Sequence, residues 1–527
     1  MSSVSASATR MSSSYRTPCT RLLLITTRNM GYAYHAGRRC NGVRTMASET
    51  TTAARAYARP PPVMRFFATC PPGLEPALAR ELAAECVGAS NVKLARAGVS
   101  FESPRRNSND EHPLATAYRA VLWSRTAVRV LNLLHDGPLV VPTRRGGPDA
   151  AYATAIEVPW EKYVGRGLSV DVRARVAKDA VDQGIDSSRF CALRTRDAVC
   201  DAVREATGER PPPPSRPDGG ADVPLFIAVK HGRAQIYRDL VGNIPLNRRG
   251  YKGAGGAVAT HEGTLNEGCA AGALMLAELD EMLEAGNMRA VTMADPMCGA
   301  GTLAIEAALI ACRIAPGLLR ILHADKRFSL SHATSDDAVR DLESTLPIRN
   351  WPDHSRELFA RVVADAVEAA RPAPYCGDVR ICCNDLDASA LETTRRVARI
   401  AEVSDVLEFA DMPSRARSWA PRRQADFVVV NPPWGKRVGL SLEAMAAQSR
   451  QGEEEEMAQI AEEEAWDDLR YFLRDSGAVI PGGDAWVLSG DPSLTASLRM
   501  KASRKIPISV AGVDSRFLRY KLRPPRR

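Results

Sequence analysis

The sequence predicts an α/β protein whose C-terminal half is a doubly wound parallel sheet ending in a β-hairpin, preceded by two smaller α+β regions. Three observations predict it. From about residue 290, apolar strands alternate with helical stretches, the pattern of a parallel sheet. The first of these strands runs into a Gly-x-Gly turn that opens a helix over 294–302. Before residue 250 strands and helices are mixed without such alternation, and 527 residues suit about two to four domains.

In order, a strand over 65–69 meets a turn at Pro71-Pro72-Gly73. A helix over 74–85 follows, with Leu74, Leu78 and Leu82 on one face. A strand over 91–101 and a helix near 114–134 complete a first region, 63–135. A second region, 136–249 with a start that could lie nearer 115, holds strands at 168–176, 224–229 and 233–239 and a helix at 196–206. Its Pro-rich loop spans 211–217. The glycines of 250–256 read as a hinge. The last region, 255–527, carries strands at 290–294, 379–384, 406–409, 427–430 and 486–489, then two β-like runs at 506–510 and 517–522 joined by a turn. No internal repeat is present.

Composition narrows the function classes. Hydrophobic residues are 45% and charged ones 25%, ordinary for a globular chain. No apolar run approaches the roughly 18 residues of a spanning helix, so a membrane protein is not expected. The formal net charge of +8 sits entirely in residues 1–60, which hold nine Arg, no Lys and the single acid Glu49. That Ser-, Thr-, Ala- and Arg-rich start has the composition of an organelle transit peptide. Its Met1-Ser2-Ser3 opening favours the chloroplast over the mitochondrion; a plain disordered tail is the alternative. The segment 61–250 is +6 and 251–527 is −6. Nine acids crowd into 453–468, whereas 499–527 has ten basic residues against Asp514 alone. Basic surface is thus expected in the N-terminal half and at the C-terminal tail, as an RNA binder needs. Twelve Cys contain no C-x-x-C pair and eight His no ligand pair at helical spacing, so no metal is expected.

Four motifs carry chemistry. In Asp295-Pro296-Met297-Cys298-Gly299-Ala300-Gly301-Thr302 the glycines let the backbone turn sharply beside a ligand, at the edge where open α/β sheets bind cofactors. Ile305-Glu306 stands where a dinucleotide fingerprint has its third glycine, so a nucleoside-type cofactor is favoured over a nicotinamide one. Asp295, Met297, Cys298, Gly299, Gly301 and Thr302 are candidate cofactor contacts. In Asn384-Asp385-Leu386-Asp387, Asp385 is placed to accept from both ribose hydroxyls, and Asp387 reads as the cap of the next helix. Asp411 closes a strand, either to accept from an adenine amine or as a solvated turn acid. The sharpest motif is Asn431-Pro432-Pro433-Trp434-Gly435, which ends a buried apolar strand. Its prolines fix φ and remove two amide donors. The Asn431 side-chain oxygen and the Pro432 carbonyl together accept both hydrogens of an exocyclic –NH₂, turning the nitrogen lone pair toward a sulfonium methyl while Trp434 stacks on the base. Catalysis here is orientation and preorganisation, and the target base must be unstacked.

These residues carry a resemblance. Phe66-Phe67-Ala68-Thr69-Cys70-Pro71-Pro72-Gly73-Leu74-Glu75, Leu122-Trp123-Ser124-Arg125-Thr126-Ala127-Val128-Arg129-Val130-Leu131 and Arg196-Asp197-Ala198-Val199-Cys200-Asp201 come first. Leu246-Asn247-Arg248-Arg249-Gly250-Tyr251, Ile305-Glu306-Ala307-Ala308-Leu309 and Ala315-Pro316-Gly317-Leu318 follow. From about residue 66 onward the chain resembles the large-subunit ribosomal RNA guanine-N(2) methyltransferases of the bacterial L type. The resemblance implies a ferredoxin-like lead-in, a THUMP domain that captures structured RNA, and a class I, Rossmann-like methyltransferase domain. It further implies S-adenosyl-L-methionine as cofactor and the 2-amino group of a guanine in ribosomal RNA as target. Trp434 stands where relatives often have Tyr. The stretch 450–468 departs from the family as an acidic insert, read as a solvated helix or loop. A second methyltransferase domain, fused in some bacterial members, is expected to be absent because the sequence stops soon after the hairpin.

Asn-Pro-Pro-aromatic also serves adenine-N6 methylation and methylation of glutamine in release factors; the 66–250 segment argues against the latter. Transfer RNA remains open as the target beside ribosomal RNA. So does a non-catalytic RNA-binding ribosome-assembly factor, although Gly299, Gly301 and 431–434 are intact. Oligomeric state is not indicated.

Overall fold

Two seven-stranded sheets organise the chain. The computed structural model describes residues 63–104, 112–140, 149–179, 185, 187–216, 218–253, 265–285, 290–372, 377–434, 451–510 and 512–522. The expected leader over 1–60, residues 254–256 of the expected hinge, Gly435 and residue 450 of the acidic stretch lie outside these, as do the side chains of 451–458.

The first sheet is built from β1 (Arg65–Thr69), α1 (Glu75–Ala83), β2 (Ser90–Ala95), β3 (Gly98–Glu102), α2 (Leu114–Trp123), β4 (Arg129–Pro138), α3 (Ala150–Ala155), β5 (Val170–Val176), α4 (Ser188–Thr207), β6 (Val223–Lys230) and β7 (Arg233–Asp239). Its strand order is β2-β3-β1-β4-β7-β6-β5, antiparallel except for β5 against β6. Side chains alternate along the strands. Phe66, Ala68, Val99, Phe101, Val130, Leu225 and Ile227 are buried, whereas Phe67, Thr69, Ser100, Phe226 and Ala228 are half-buried on the opposite face. That face holds a cavity of about 610 Å³.

Two expectations fail here for identifiable reasons. The run 91–101 is a hairpin rather than one strand, turning at Ala97 with φ of 55°. A Cβ on Gly98 would lie 2.4 Å from the Ala68 carbonyl oxygen, so only glycine lets β3 approach β1 this closely. The helix over 114–134 stops at Trp123 and becomes strand β4. Buried Glu81 causes the break, accepting hydrogen bonds from Ser124 Oγ (2.9 Å), Arg125 N (2.7 Å) and Thr126 N (3.2 Å) and Oγ1 (2.6 Å). These side-chain bonds compete with the helix ladder. The expected border at 135/136 falls inside β4, which pairs with β1 on one edge and β7 on the other. The two α+β regions therefore share one sheet.

The second sheet comprises α5 (Glu267–Leu276), α6 (Leu279–Ala285), β8 (Val291–Asp295), α7 (Thr302–Ala311), α8 (Asp336–Ser344), α9 (Arg356–Glu368), β9 (Val379–Cys383), α10 (Ala388–Ile400), β10 (Leu407–Phe409), β11 (Ala425–Val430), α11 (Gln451–Arg474), β12 (Val479–Ser489), α12 (Pro492–Ser497), β13 (Arg504–Val510) and β14 (Val513–Lys521). Strand order is β10-β9-β8-β11-β12-β14-β13, with β8 to β12 parallel and β14 antiparallel to β12. This is the doubly wound sheet with terminal hairpin that the alternation predicts. Its central strands are buried along both faces, β8 completely, as parallel strands between helix layers must be. Chemistry is therefore confined to the carboxyl edge, and strand order reverses between β8 and β11.

Buried polar groups tie the two sheets together. Glu306 on α7 accepts from Tyr251 Oη (3.0 Å) and Arg249 Nη2 (3.4 Å). Arg249 also donates to the Arg125 carbonyl, and Arg125 in turn to those of Leu309 and Ile314. Fully buried Arg238 on β7 makes a bidentate pair with Asp353, both bonds 2.8 Å, and lies 4.0 Å from the Trp351 ring centroid. Among the described residues no helix is long and apolar enough to cross a membrane.

Candidate active site

Adjacent strands lie about 4.8 Å apart, so the ends of β10, β9, β8, β11 and β12 line up in that order along one edge. They bring together Asp385, the Gly299–Gly301 turn, the Asn431–Trp434 corner and Gly490. Three of these four positions were named by the sequence.

At the centre, Asp295 closes β8 in register with Cys383 of β9. Its carboxylate is fully buried; Oδ1 accepts from Met297 N at 3.3 Å, and Oδ2 has no partner among the described residues. Burial pushes its pKa up to about 8, the neighbouring Asp385 charge adds to that, and the Met297 N–H opposes it. A buried acid with an orphaned oxygen is costly unless something arrives to pair with it. The turn that follows uses left-handed backbone at Gly299 (φ 54°) and Gly301 (φ 74°). At Gly301 a Cβ would lie 2.2 Å from Thr394 Cγ2 on α10, whereas at Gly299 it would meet nothing within 4 Å. One glycine admits the neighbouring helix; the other faces open space. Thr302 begins α7 and is buried, Met297 packs on the same core cluster as Trp434, and Cys298 is buried with its thiol pushed well above its usual pKa by a hydrogen bond with Cys383 and by burial. Cys298 is a packing thiol, not a nucleophile.

Asp385 accepts from Gly299 N at 2.8 Å through Oδ2 and from Asp387 N at 2.9 Å through Oδ1, so it clamps the glycine turn to the end of β9. Asp387 caps α10, accepting from Ser389 N at 2.8 Å. Asn384, which the sequence reading quoted without a role, is fully buried and joins three segments. Its Nδ2 donates to the carbonyls of Pro296 (3.1 Å) and Ser414 (2.8 Å), and its Oδ1 accepts from Ser414 Oγ (3.0 Å). Asp411 is not drawn in. Its carboxylate is 84% exposed and pairs with Arg422 at 3.0 Å, beside a cavity of about 230 Å³. Such an exposed pair contributes little stability, so it poses no barrier to a competing donor.

The diproline corner is braced by two tryptophans. Trp434 Nε1 donates to Asn431 Oδ1 at 2.9 Å, and its ring lies against Gly490, where a Cβ would be 2.3 Å from Cζ3. Trp466 Nε1 donates to the Pro433 carbonyl at 2.7 Å. Among the described residues nothing donates to the Pro432 carbonyl, and Asn431 Oδ1 keeps a second lone pair. Two acceptors thus remain at the corner. Trp434 orients Asn431 in addition to offering a half-buried aromatic surface.

The stretch expected as a solvated helix or loop over 450–468 is helical from Gln451 and mostly exposed over its described side chains, with Trp466 and Asp468 as buried exceptions. The segment is helix α11, and Trp466, Leu469, Phe472 and Leu473 are buried in the core under β11 and β12. Buried Asp468 accepts from Arg415 Nε and holds the loop after β10. The signal is present as Trp466, Leu469 and Leu473 at i, i+3 and i+7, the last two just past the acids; charge density hides it.

A parallel sheet with its strand reversal at a glycine turn, a ribose-type acid on the next strand and an Asn-Pro-Pro-Trp corner on the other side defines a class I, S-adenosylmethionine-dependent methyltransferase domain. Comparison with known proteins makes this specific. Family models match as the RlmL ferredoxin-like domain over 65–131, the THUMP domain over 148–239 and the RMKL-like methyltransferase domain over 255–465. The chain is 31% identical over 465 residues to the "Ribosomal RNA large subunit methyltransferase K/L" of Syntrophotalea carbinolica, across 87% of this chain and 53% of that protein. To the protein of the same name from Shewanella amazonensis it is 28% identical, with the same coverage. A crystal structure described as a possible methylase from Clostridium difficile 630 shares the fold at a TM-score of 0.63 and 18% identity, over 88% of this chain and 100% of that one. The chain thus carries the RlmL ferredoxin-like, THUMP and RMKL-like methyltransferase domains in that order. It spans about half the length of the curated relatives it matches.

Proposed function

We propose that the chain transfers a methyl group from S-adenosyl-L-methionine to the exocyclic 2-amino group of a guanine in large-subunit ribosomal RNA. The observation that carries this reading is the pair of acceptors at the corner, Asn431 Oδ1 with a second lone pair and the Pro432 carbonyl with no donor among the described residues, one strand away from a buried acid whose Oδ2 likewise has none among them. When bound, the cofactor supplies an electrophilic methyl on a sulfonium. Asp295, Met297, Cys298, Gly299, Gly301 and Thr302 would hold it together with Asp385 and, at the adenine end, Asp411. The open space over Gly299 and the unpaired Asp295 oxygen fit that role.

Asn431 and Pro432 each accept one hydrogen of the amine and so aim its lone pair; Trp434 keeps Asn431 in that orientation, and Trp466 keeps Pro433 in place. The gain is positional, with no strong base required. RNA as substrate is supported by the family and by the open face of the first sheet. There Lys93, Arg173 and Arg175 are exposed at the cavity margin, and the half-buried rings of Phe67 and Phe226 flank buried Tyr237, each with ring centroids 6.4 Å from it, cations and aromatic surface of the kind unpaired RNA uses. The names of the curated relatives support ribosomal RNA, and the acid-poor first 60 residues support import into an organelle, the chloroplast first.

The test is mass-spectrometric mapping of N2-methylguanine in organellar ribosomal and transfer RNA with and without the protein. One large-subunit guanine should lose its methyl group in the absence of the protein; loss from transfer RNA alone would overturn the ribosomal assignment.

A further inference from the structure

On the far side of Trp434 from the cofactor turn, Ser489 and Gly490 at the end of β12 open into a second cavity of about 590 Å³, walled by α12 and the β13–β14 hairpin. This is the size range of small-molecule clefts, about 300–1,000 Å³. Its floor is apolar, with Leu518 and Tyr520 buried. Its rim carries four exposed cations, Arg499, Lys501, Lys505 and Arg516, and two acids, Asp514 and Asp491, the latter capping α12.

The hairpin treats its two faces differently. On the face away from the cavity, Arg519 and Lys521 share Asp484 as ion-pair partner, at 2.7 and 2.9 Å, and Arg504 pairs with Glu278 at 3.2 Å. On the cavity face, Arg516, Leu518 and Tyr520 alternate in register, with Lys505 opposite Leu518. Among the described residues none of the four rim cations has an acidic partner. Four cations against two acids leave the rim with a net positive charge around an apolar floor, an arrangement that a polyanion complements.

We infer that this groove holds the single-stranded phosphodiester backbone of the RNA immediately flanking the methylated base. The inference rests on reading Asn431–Trp434 as the amine-binding corner. A base drawn out of its stack brings its neighbouring phosphates with it. The groove lies directly behind Gly490, against which the Trp434 ring packs, so a strand delivering its base to the corner must pass the groove's mouth. Arg499 and Arg516 suit forked contacts to phosphate oxygens, and the two lysines suit point-charge contacts.

The test uses the full chain and a fluorescein-labelled, unstructured 20-nucleotide RNA, titrated from low to moderate salt. A Lys505→Glu/Arg516→Glu variant is compared with Arg340→Glu/Arg349→Glu, which makes the same charge change on an exposed surface elsewhere. The groove variant should bind roughly tenfold or more weakly, with a log–log salt slope shallower by about 1.4, or about 0.7 per lost phosphate contact. The control variant should change affinity less than about twofold, and the labelled RNA should bind better than its duplex. Where the glutamates impair folding, Lys505→Gln/Arg516→Gln gives the same comparison, with a smaller loss. Equal losses in groove and control variants, an unchanged slope, or preference for duplex would overturn the inference. S-adenosylmethionine affinity, measured in parallel, is expected to be unchanged in both variants. A wild-type chain that binds RNA through the groove but no S-adenosylmethionine would sink the methyltransferase reading and leave the groove standing.

Discussion

The two seven-stranded sheets differ in where they leave room for function. The first, mostly antiparallel, is covered on one face and half-open on the other, so its strands alternate apolar-in and mixed-out, as in Phe66 and Phe67 or Leu225 and Phe226. The second is buried on both faces along its central strands, whose carboxyl ends meet polar residues: Asp295 on β8, Asn384 and Asp385 after β9, and Asn431 after β11. A face can hold an extended polymer by many weak contacts; an edge can hold one small group in fixed geometry. The division suits the proposed function, in which RNA is gripped in one place and one amine is positioned in another. The buried Arg125–Arg249–Glu306–Tyr251 cluster makes the two act as one body.

That coupling offers the largest effect. Glu306→Ala leaves Arg249 buried without its counter-charge and should destabilise the chain by about 3–5 kcal/mol, read by urea denaturation; a loss under about 1 kcal/mol would mean that the sheets are held together by other contacts. At the edge, Gly490→Val pushes the Trp434 ring aside and should lower turnover roughly 10²-fold while S-adenosylmethionine affinity, measured by calorimetry, stays near wild type. On the face, Phe226→Ala should weaken RNA binding by about 1–3 kcal/mol without touching cofactor affinity; the opposite pattern would reverse the roles given to the two sheets.

The smallest effect is a pH dependence. With its pKa raised to about 8 by burial, Asp295 is neutral in the free chain at pH 6 to 7. A cationic ligand favours its ionised form, so S-adenosylmethionine affinity should rise by up to about tenfold per pH unit below 8 and level off above. The same raised pKa makes the folded state hold this proton more tightly than the unfolded one. Stability is therefore lost as pH climbs from the ordinary carboxylate range toward 8, and Asp295→Asn should remove both slopes.

Much of the edge was legible because chemistry there is encoded in short contiguous runs. Asp295 to Thr302, Asp385 and Asn431 to Trp434 each sit at a strand end, and strand ends follow from apolar runs meeting glycine or proline. What escaped notice depends on distant partners. Glu81 lies some forty residues before the helix that it ends, Trp466 reaches back to Pro433 from a stretch dominated by acids, and Gly490 is an unremarked glycine until Trp434 is placed against it. The continuous first sheet was missed for the same reason, since the β4–β7 pairing joins residues about a hundred positions apart. Arg249 and Glu306 appear in family-like runs, and the structure gives them a load between domains that spacing could not express.

The central claim is that the Asn431–Pro432 acceptors aim an amine at a methyl held by the neighbouring strands. Turnover and S-adenosylmethionine affinity measured together on Asn431→Ala test it most directly. Turnover should fall roughly 10²- to 10³-fold, the range for losing one preorganised polar contact in a reacting site, with cofactor affinity within about twofold of wild type. Unchanged turnover, or a fall matched by an equal loss of cofactor affinity, would contradict the account.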